Sequence, residues 1–233
     1  MLEGTKLLSE ALDAGAPVES VYLAPGRAGD ALEAVVTRAV ARGVRVFDLA
    51  PGVMERVADT VTPQAVMAVA GYVDVPLERL RDRGPVVVCV DVRDPGNLGT
   101  VLRSAEASGA GGVICCDGTV DVYNPKCVRA SAGSLFHVQV VAGGDPVEVL
   151  DTLGSWGFRR VGTRAAGGTT YFAADLTVPT ALVLGNEAWG LPSRVEDTLD
   201  ATVTIPMAGR GESLNVGMAA AVLCFEAARQ RAS

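Results

Sequence analysis

Three stretches of the chain carry residue types that could do chemistry together. The first is Asp94-Pro-Gly-Asn97-Leu-Gly99-Thr-Val-Leu-Arg103. A helix opening here puts Leu98, Val101, Leu102 and Ala105 on one apolar face and turns Arg103 off it, with Gly99 one turn earlier leaving space beside the arginine. An uncrowded guanidinium near a helix start suits two-pronged binding of a phosphate. Asn97 as a plain helix cap and Arg103 as a solvated side chain is the competing reading of the same residues. The second stretch, Leu184-Gly185-Asn186-Glu187-Ala-Trp189-Gly190-Leu-Pro192, ends an apolar run in a glycine, an amide, a carboxylate and a second glycine. Glycine lets a ligand approach the backbone, and Glu187 can act as a general base or orient a ligand. A strand-to-helix turn with an exposed acid is the alternative. In the third, Ile205-Pro-Met207-Ala-Gly-Arg210-Gly-Glu-Ser213-Leu-Asn215, a glycine loop leads to Ser213, which reads as a helix N-cap. Capping does not account for Ile205-Pro-Met207.

Counting removes several other chemistries. With a single histidine, His137, no two-histidine zinc site can form, and no Cys-x-x-Cys pair occurs. The two lysines, Lys6 and Lys126, do not follow the glycine of a P-loop. Gly109-Ala-Gly-Gly112 and Gly209-Arg-Gly211 both lack the third glycine of the dinucleotide fingerprint. No metal is expected. His137, in Phe136-His-Val-Gln-Val, alternates like a strand residue and reads as structural. The cysteine count is odd, and Cys89, Cys115, Cys116 and Cys224 lie in apolar runs, as reduced core thiols do.

The elements that must position the three stretches follow from length and pattern. At 233 residues, 49% hydrophobic and 20% charged, the chain is globular, with room for one sizeable core and a small companion. Its front third alternates helical signals at 6–14 and 31–41 with extended ones at 18–24, 44–49 and 66–70, a small α/β unit. The charged run 78–83 reads as a solvated linker or helix face, and a domain boundary is expected near 72–84, giving domains 1–76 and 84–233. Beyond it Val86-Val-Val-Cys-Val90 is apolar throughout, like a strand buried on both faces of a parallel sheet. Runs at 114–116, 160–162, 181–184 and 201–205 repeat the theme, which predicts a doubly wound or related sheet with ligands beyond the carboxyl ends of its strands. The helix after Ser213 carries no charge from Val216 to Phe225, so more than its sheet-facing side must be buried. A subunit interface is inferred there, with burial by another part of the chain as the alternative.

Net charge is −7, so any nucleic-acid contact must be local. No apolar run approaches the roughly eighteen residues of a membrane helix, and the start lacks a signal-peptide pattern. A cytoplasmic protein is expected.

Taken in order, Asn97-Leu-Gly-x-x-x-Arg103, Gly185-Asn-Glu187 with Gly190, and Ile205-Pro-Met207 followed by Ser213-Leu-Asn215 resemble the three motifs of the SpoU (TrmH-like) RNA ribose 2′-O-methyltransferases of the SPOUT superfamily. The resemblance spans about 86–230. The front third is similar to the family's L30e-like substrate-binding domain, with Leu2-Glu-Gly4 and Thr62-Pro-Gln64 near its edges. It implies an α/β fold with a C-terminal SPOUT domain, a trefoil-knotted, mostly parallel sheet, and an obligate homodimer formed through the knot region and the C-terminal helix. It also implies S-adenosyl-L-methionine cradled by the backbone around Leu184, Gly185, Asn186, Ile205, Met207 and Leu214, with Thr163 a further neighbour. Arg103, Asn97, Glu187, Ser213 and Asn215 would then form the catalytic and RNA-positioning set.

An arginine stays protonated in proteins, so Arg103 is expected to clamp the phosphate beside the target ribose, with that phosphate, Glu187 or a water taking the proton. Arg93, Arg103, Arg129, Arg164 and Arg210 could build a local basic groove. The front domain points to ribosomal RNA as substrate. Transfer RNA is the alternative, as are a non-catalytic RNA-binding or ribosome-assembly factor on the same fold and a small-molecule α/β enzyme using another nucleotide cofactor. Relatives often carry a basic lead-in before Leu2, so a misplaced start or a trimmed chain is also expected to be possible.

Overall fold

The computed structural model describes residues 1–26, 29–58 and 60–232. Its contacts divide into two compact units, Met1–Val73 with Ala132–His137, and Asp74–Ser131 with the chain from Val138 onward.

The first unit runs β1 (Leu2–Glu3), α1 (Thr5–Asp13), β2 (Val18–Leu23), α2 (Asp30–Ala41), β3 (Arg45–Asp48), α3 (Val53–Val57) and β4 (Val66–Ala70). Its sheet has the order β1-β4-β2-β3, with β3 parallel to β2 and β4 antiparallel to both β1 and β2. Leu7, Leu8, Ala11 and Leu12 recur at helical spacing in α1, and all four are buried. His137 belongs to this unit and is not a strand residue. It follows a 3-10 turn, Ser134–Phe136, and its Nε2 lies 2.8 Å from Glu10 Oε2. The alternation around it was misleading because the next strand begins only at Val140.

The second unit contains β5 (Val86–Cys89), α4 (Pro95–Ala107), β6 (Gly112–Cys115), α5 (Pro125–Ser131), β7 (Val140–Ala142), α6 (Pro146–Ser155), β8 (Arg159–Arg164), β9 (Thr169–Thr170), β10 (Thr180–Leu184), α7 (Ser193–Glu196), β11 (Ala201–Thr204) and α8 (Val216–Arg231). The strands form one parallel sheet in the order β7-β6-β5-β10-β8-β11-β9. Every residue of β5, β6 and β10 is buried, as unbroken apolar runs covered on both faces require. Each such fully buried valine contributes about 1.5–3 kcal/mol relative to an exposed one. From β5 the chain builds outward through β6 and β7, then crosses to the other side of β5 for the remaining strands. The junction of β5 and β10 is therefore a switch point, where open parallel sheets leave a crevice.

Close helix packing above the sheet rests on two glycines. A Cβ on Gly99 of α4 would lie 2.4 Å from Ala130 Cβ and 2.9 Å from the Cys127 carbonyl of α5, and one on Gly217 of α8 would lie 2.8 Å from Thr100 Cβ of α4. Gly99 is thus buried against α5. It does not open space for Arg103, because the missing side chain is filled by the neighbouring helix. All five cysteines are free and buried. Burial, the largest influence, pushes the thiols of Cys116, Cys127 and Cys224 up to about 12, so they are inert at neutral pH.

Candidate functional site

Strands β10, β8 and β11 are neighbours, so the loops leaving their carboxyl ends are neighbours too. Those loops, 185–191 after β10, 165–168 after β8 and 205–215 after β11, wall a cavity of about 610 Å³. Its lining includes six residues of the motifs, Gly185, Asn186, Glu187, Ile205, Ser213 and Leu214, together with Thr163. Thr163 is fixed by its hydroxyl, which donates to the Val183 carbonyl at 3.2 Å.

The loop after β10 is a closed turn. Asn186 and Gly190 exchange backbone hydrogen bonds at 2.9 and 3.0 Å, and Gly190 takes up φ +72°. The Asn186 carboxamide is buried. It donates to the Asp91 carbonyl at 2.8 Å and to Asp91 Oδ2 at 3.1 Å, and accepts from the Ala188 N–H at 2.8 Å. Asp91 itself holds φ 58°, an uncommon conformation for a residue with a side chain. Asn186 therefore lines the cavity while its side chain is spent on the fold.

Glu187 joins this turn to the start of α4. Its carboxylate accepts from the backbone N–H groups of Arg93 at 3.1 Å and Asp94 at 3.2 Å, and from the Asn97 carboxamide at 3.1 Å. Burial pushes the Glu187 carboxyl up, but the Asn97 amide and the two N–H groups outweigh it and hold the group below its ordinary value. A carboxylate so well supplied with donors is a poor proton acceptor and a good clamp. Because the folded state favours the ionised form, the stabilisation is complete above the ordinary carboxyl value of about 4.3 and is lost as pH falls through the depressed one. Glu187→Gln is accordingly expected to melt below the wild type at pH 7, with the gap closing in acid below the ordinary carboxyl range. Thermal unfolding of both proteins across that range checks it, and a gap independent of pH would contradict the clamp.

Several assignments from the sequence change. Asp94, not Asn97, caps α4: its carboxylate accepts from the Asn97 N–H at 2.9 Å and pairs with Lys126 at 3.0 Å. The Asn97 side chain is thereby freed for Glu187. At α8 the cap is Asn215, which accepts from the Met218 N–H at 2.7 Å. Ser213 sits two residues too early to cap; it lines the cavity instead, and its hydroxyl makes no hydrogen bond among the described residues. Leu184 is buried within β10, its carbonyl accepting from the Val90 N–H, and it does not line the cavity. Met207 is 37% exposed and also lies outside the lining.

Arg103 is exposed on α4, and its guanidinium makes no hydrogen bond or ion pair among the described residues. Of the other arginines expected in a basic groove, Arg93 pairs with Asp91 and Arg164 with Glu196 at 3.1 Å. Glu196 of α7 and Trp189 line the cavity without having been chosen from the sequence. Trp189 stood inside a motif with nothing to distinguish it from a core tryptophan, and Glu196 had no local signal at all.

Backbone groups, apolar side chains and three charged ones make this cavity able to hold a polar ligand of drug-like size. A parallel α/β sheet with such a cavity at its carboxyl edge, beside the switch point, is the layout of a ligand-binding α/β domain. Residues 84–225 match the model of the SpoU rRNA Methylase family, and residues 1–72 match that of the RNA 2′-O ribose methyltransferase substrate binding domain. The chain belongs to the SpoU rRNA methylase family.

It is 33% identical over 225 residues to the 23S rRNA (guanosine(2553)-2′-O)-methyltransferase RlmP of Bacillus subtilis, covering 97% of this chain and 86% of that protein. It is 36% identical, over a 253-residue alignment, to the 23S rRNA (uridine(2479)-2′-O)-methyltransferase of Streptomyces viridochromogenes, covering 100% of this chain and 83% of that protein. Among solved structures, the SpoU methyltransferase AviRb from Streptomyces viridochromogenes in complex with the cofactor AdoMet superposes with a TM-score of 0.88 at 34% identity, over 100% of this chain and 90% of that one.

Proposed function

We propose that this protein transfers the methyl group of S-adenosyl-L-methionine to a ribose 2′-hydroxyl of ribosomal RNA. The observation that carries the reading is the convergence of the loops after β8, β10 and β11 on one cavity in a chain of this family. The resemblance of the whole chain, front unit included, to two 23S rRNA 2′-O-methyltransferases supports ribosomal over transfer RNA.

The donor set fits the cofactor. Thr163, Gly185, Ile205 and Leu214 offer backbone groups and apolar surface for an adenosine, and with Glu196 offset by Arg164, Glu187 leaves a net negative charge in the cavity that a sulfonium would occupy. When bound, S-adenosyl-L-methionine supplies an already activated methyl group.

What remains for the protein is to position the hydroxyl and ease the loss of its proton. Arg103, uncommitted and permanently charged, holds the phosphate next to the target ribose and stabilises developing negative charge on the oxygen. Glu187 and Asn97 fix the start of the helix that carries Arg103. The free hydroxyl of Ser213 contacts the ribose, while Asn215 orders the approach by capping α8. With Glu187 saturated, a water or the RNA phosphate accepts the proton.

The working form is a homodimer. Met218 and Phe225 of α8 are 57% and 52% exposed on the stretch Val216–Phe225, which carries no charged side chain, an arrangement that a second copy would cover. After β11, near one end of the sheet, the chain returns to lay α8 against α4 and β10, a path compatible with the trefoil knot. Among the described residues no helix is long and apolar enough to cross a membrane, and the buried free thiols suit a reducing compartment, which supports a cytoplasmic location.

Labelled methyl transfer from S-adenosyl-L-methionine to ribosomal and transfer RNA of cells lacking the enzyme tests the proposal. One alkali-resistant position in 23S rRNA is expected to carry the label. Label confined to transfer RNA, or none despite cofactor binding, would overturn it.

A further inference from the structure

We infer that Trp189 is a stacking platform for a base of the RNA substrate, at or next to the methylated nucleotide; this rests on the activity proposed above.

Trp189 lines the cavity yet is 68% exposed. It does not owe that exposure to a loose loop. The turn 186–190 is closed by the paired backbones of Asn186 and Gly190, braced by the buried Asn186 carboxamide, and anchored at its exit by buried Leu191. On the near side Gly185 leaves no room to relax, since a Cβ there would lie 2.4 Å from the Gly190 carbonyl carbon. A large aromatic ring is thus held in solvent by a rigid support, at the edge of a site, with its apolar surface uncovered.

Three features select the occupant. Among the lining residues Gly185 and Leu223 are buried and Thr163, Ile205 and Leu214 half-buried, whereas Trp189 is exposed, so a cofactor seated against the buried part leaves the ring uncovered. The charged side chains of the cavity are Arg164, Glu187 and Glu196, and Arg164 is already paired with Glu196, which makes this rim a poor seat for a phosphate. The neighbours of Trp189 in the turn, Ala188 and Gly190, add little apolar area, too little for a protein interface. A nucleobase needs only one aromatic face and no charge. The Glu187 clamp also ties this turn to α4, so the base-stacking ring and the phosphate-holding Arg103 are borne on elements locked to each other.

The chain has two tryptophans, and the other, Trp156, packs under the Arg81 guanidinium at 5.9 Å, so Trp156→Phe isolates the emission of Trp189. Ribosomal RNA from cells lacking the enzyme is expected to quench that emission, and S-adenosylhomocysteine is not. Trp189→Ala should raise the KM for RNA by about 5- to 150-fold, the range for losing one base–aromatic stack, with the KM for the cofactor unchanged, and Trp189→Phe should recover most of the loss. Quenching by S-adenosylhomocysteine but not by RNA would overturn the inference in favour of a cofactor cover. So would a Trp189→Ala enzyme with wild-type KM for RNA, or emission shielded from both ligands by a second copy of the chain. Wild-type enzyme is assayed on the same RNA: if RNA quenches Trp189 but no methyl is transferred, the proposed activity fails while the stack stands.

Discussion

Arg103→Ala is expected to lower the turnover of methyl transfer to ribosomal RNA by about 10²- to 10³-fold, the usual cost of deleting one preorganised charge-stabilising donor. Cofactor affinity and melting temperature should stay at wild-type values. The expectation follows from what Arg103 does not do in the protein: it is exposed, is not among the cavity-lining residues, and its side chain has no partner among the described residues. Its helix is nevertheless firmly held, with Asp94 capping the start, Glu187 gripping Arg93, Asp94 and Asn97, and Gly99 and Gly217 letting α5 and α8 close in. An uncommitted cation on a rigid mount is suited to a ligand and irrelevant to stability. Arg103→Lys should restore only a small part of the rate, because an ammonium cannot make the two-pronged contact. Single-turnover assays beside cofactor titration decide the matter, and a near-normal rate in Arg103→Lys would rule out the two-pronged clamp.

Gly185→Ala is expected to abolish measurable cofactor binding and to lower the melting temperature. The reason is space and not backbone conformation. The added Cβ would lie 2.4 Å from the Gly190 carbonyl carbon, 2.6 Å from its oxygen and 2.7 Å from the Leu191 nitrogen, all backbone atoms that cannot swing aside. Opening the turn to admit the methyl breaks the Asn186–Gly190 pairing and displaces Glu187 from α4. Overpacking of this kind costs about 1–3 kcal/mol, roughly 2–12 °C in a domain of this size. Calorimetric titration with S-adenosyl-L-methionine and a melting curve read the two effects separately. Wild-type affinity in the variant would mean that the turn can open without disturbing the cavity.

Much of this was legible in the chain. The runs at 86–90 and 181–184 read as strands because unbroken apolar stretches of that length are stable only where a parallel sheet is covered on both faces. The ordered motifs named the family, and with it the loops of interest. The spacing of Leu98, Val101, Leu102 and Ala105 put Arg103 on the outer side of α4, as observed. Local reading failed where two residue types compete for one local role. Asp94 and Asn97 can both cap a helix, as can Ser213 and Asn215, and which of them does so depends on where the chain enters the helix.

The sequence by itself determined the elements, their buried faces and the residue types available for chemistry, because hydrophobic periodicity and motif spacing are properties of neighbours along the chain. Only the tertiary structure decided which of those residues meet. Glu187 and Asn97 are 90 positions apart and 3.1 Å apart in space, joined because β10 inserts beside β5 after the chain has crossed the sheet. The space that Gly99 leaves is taken by α5, and Trp189 stays in water because the turn that carries it is closed by the Asn186–Gly190 backbone pair and the Asn186 side chain. Such contacts arise from the packing of whole elements, whose energies depend on every residue in the interface, and no local pattern records them.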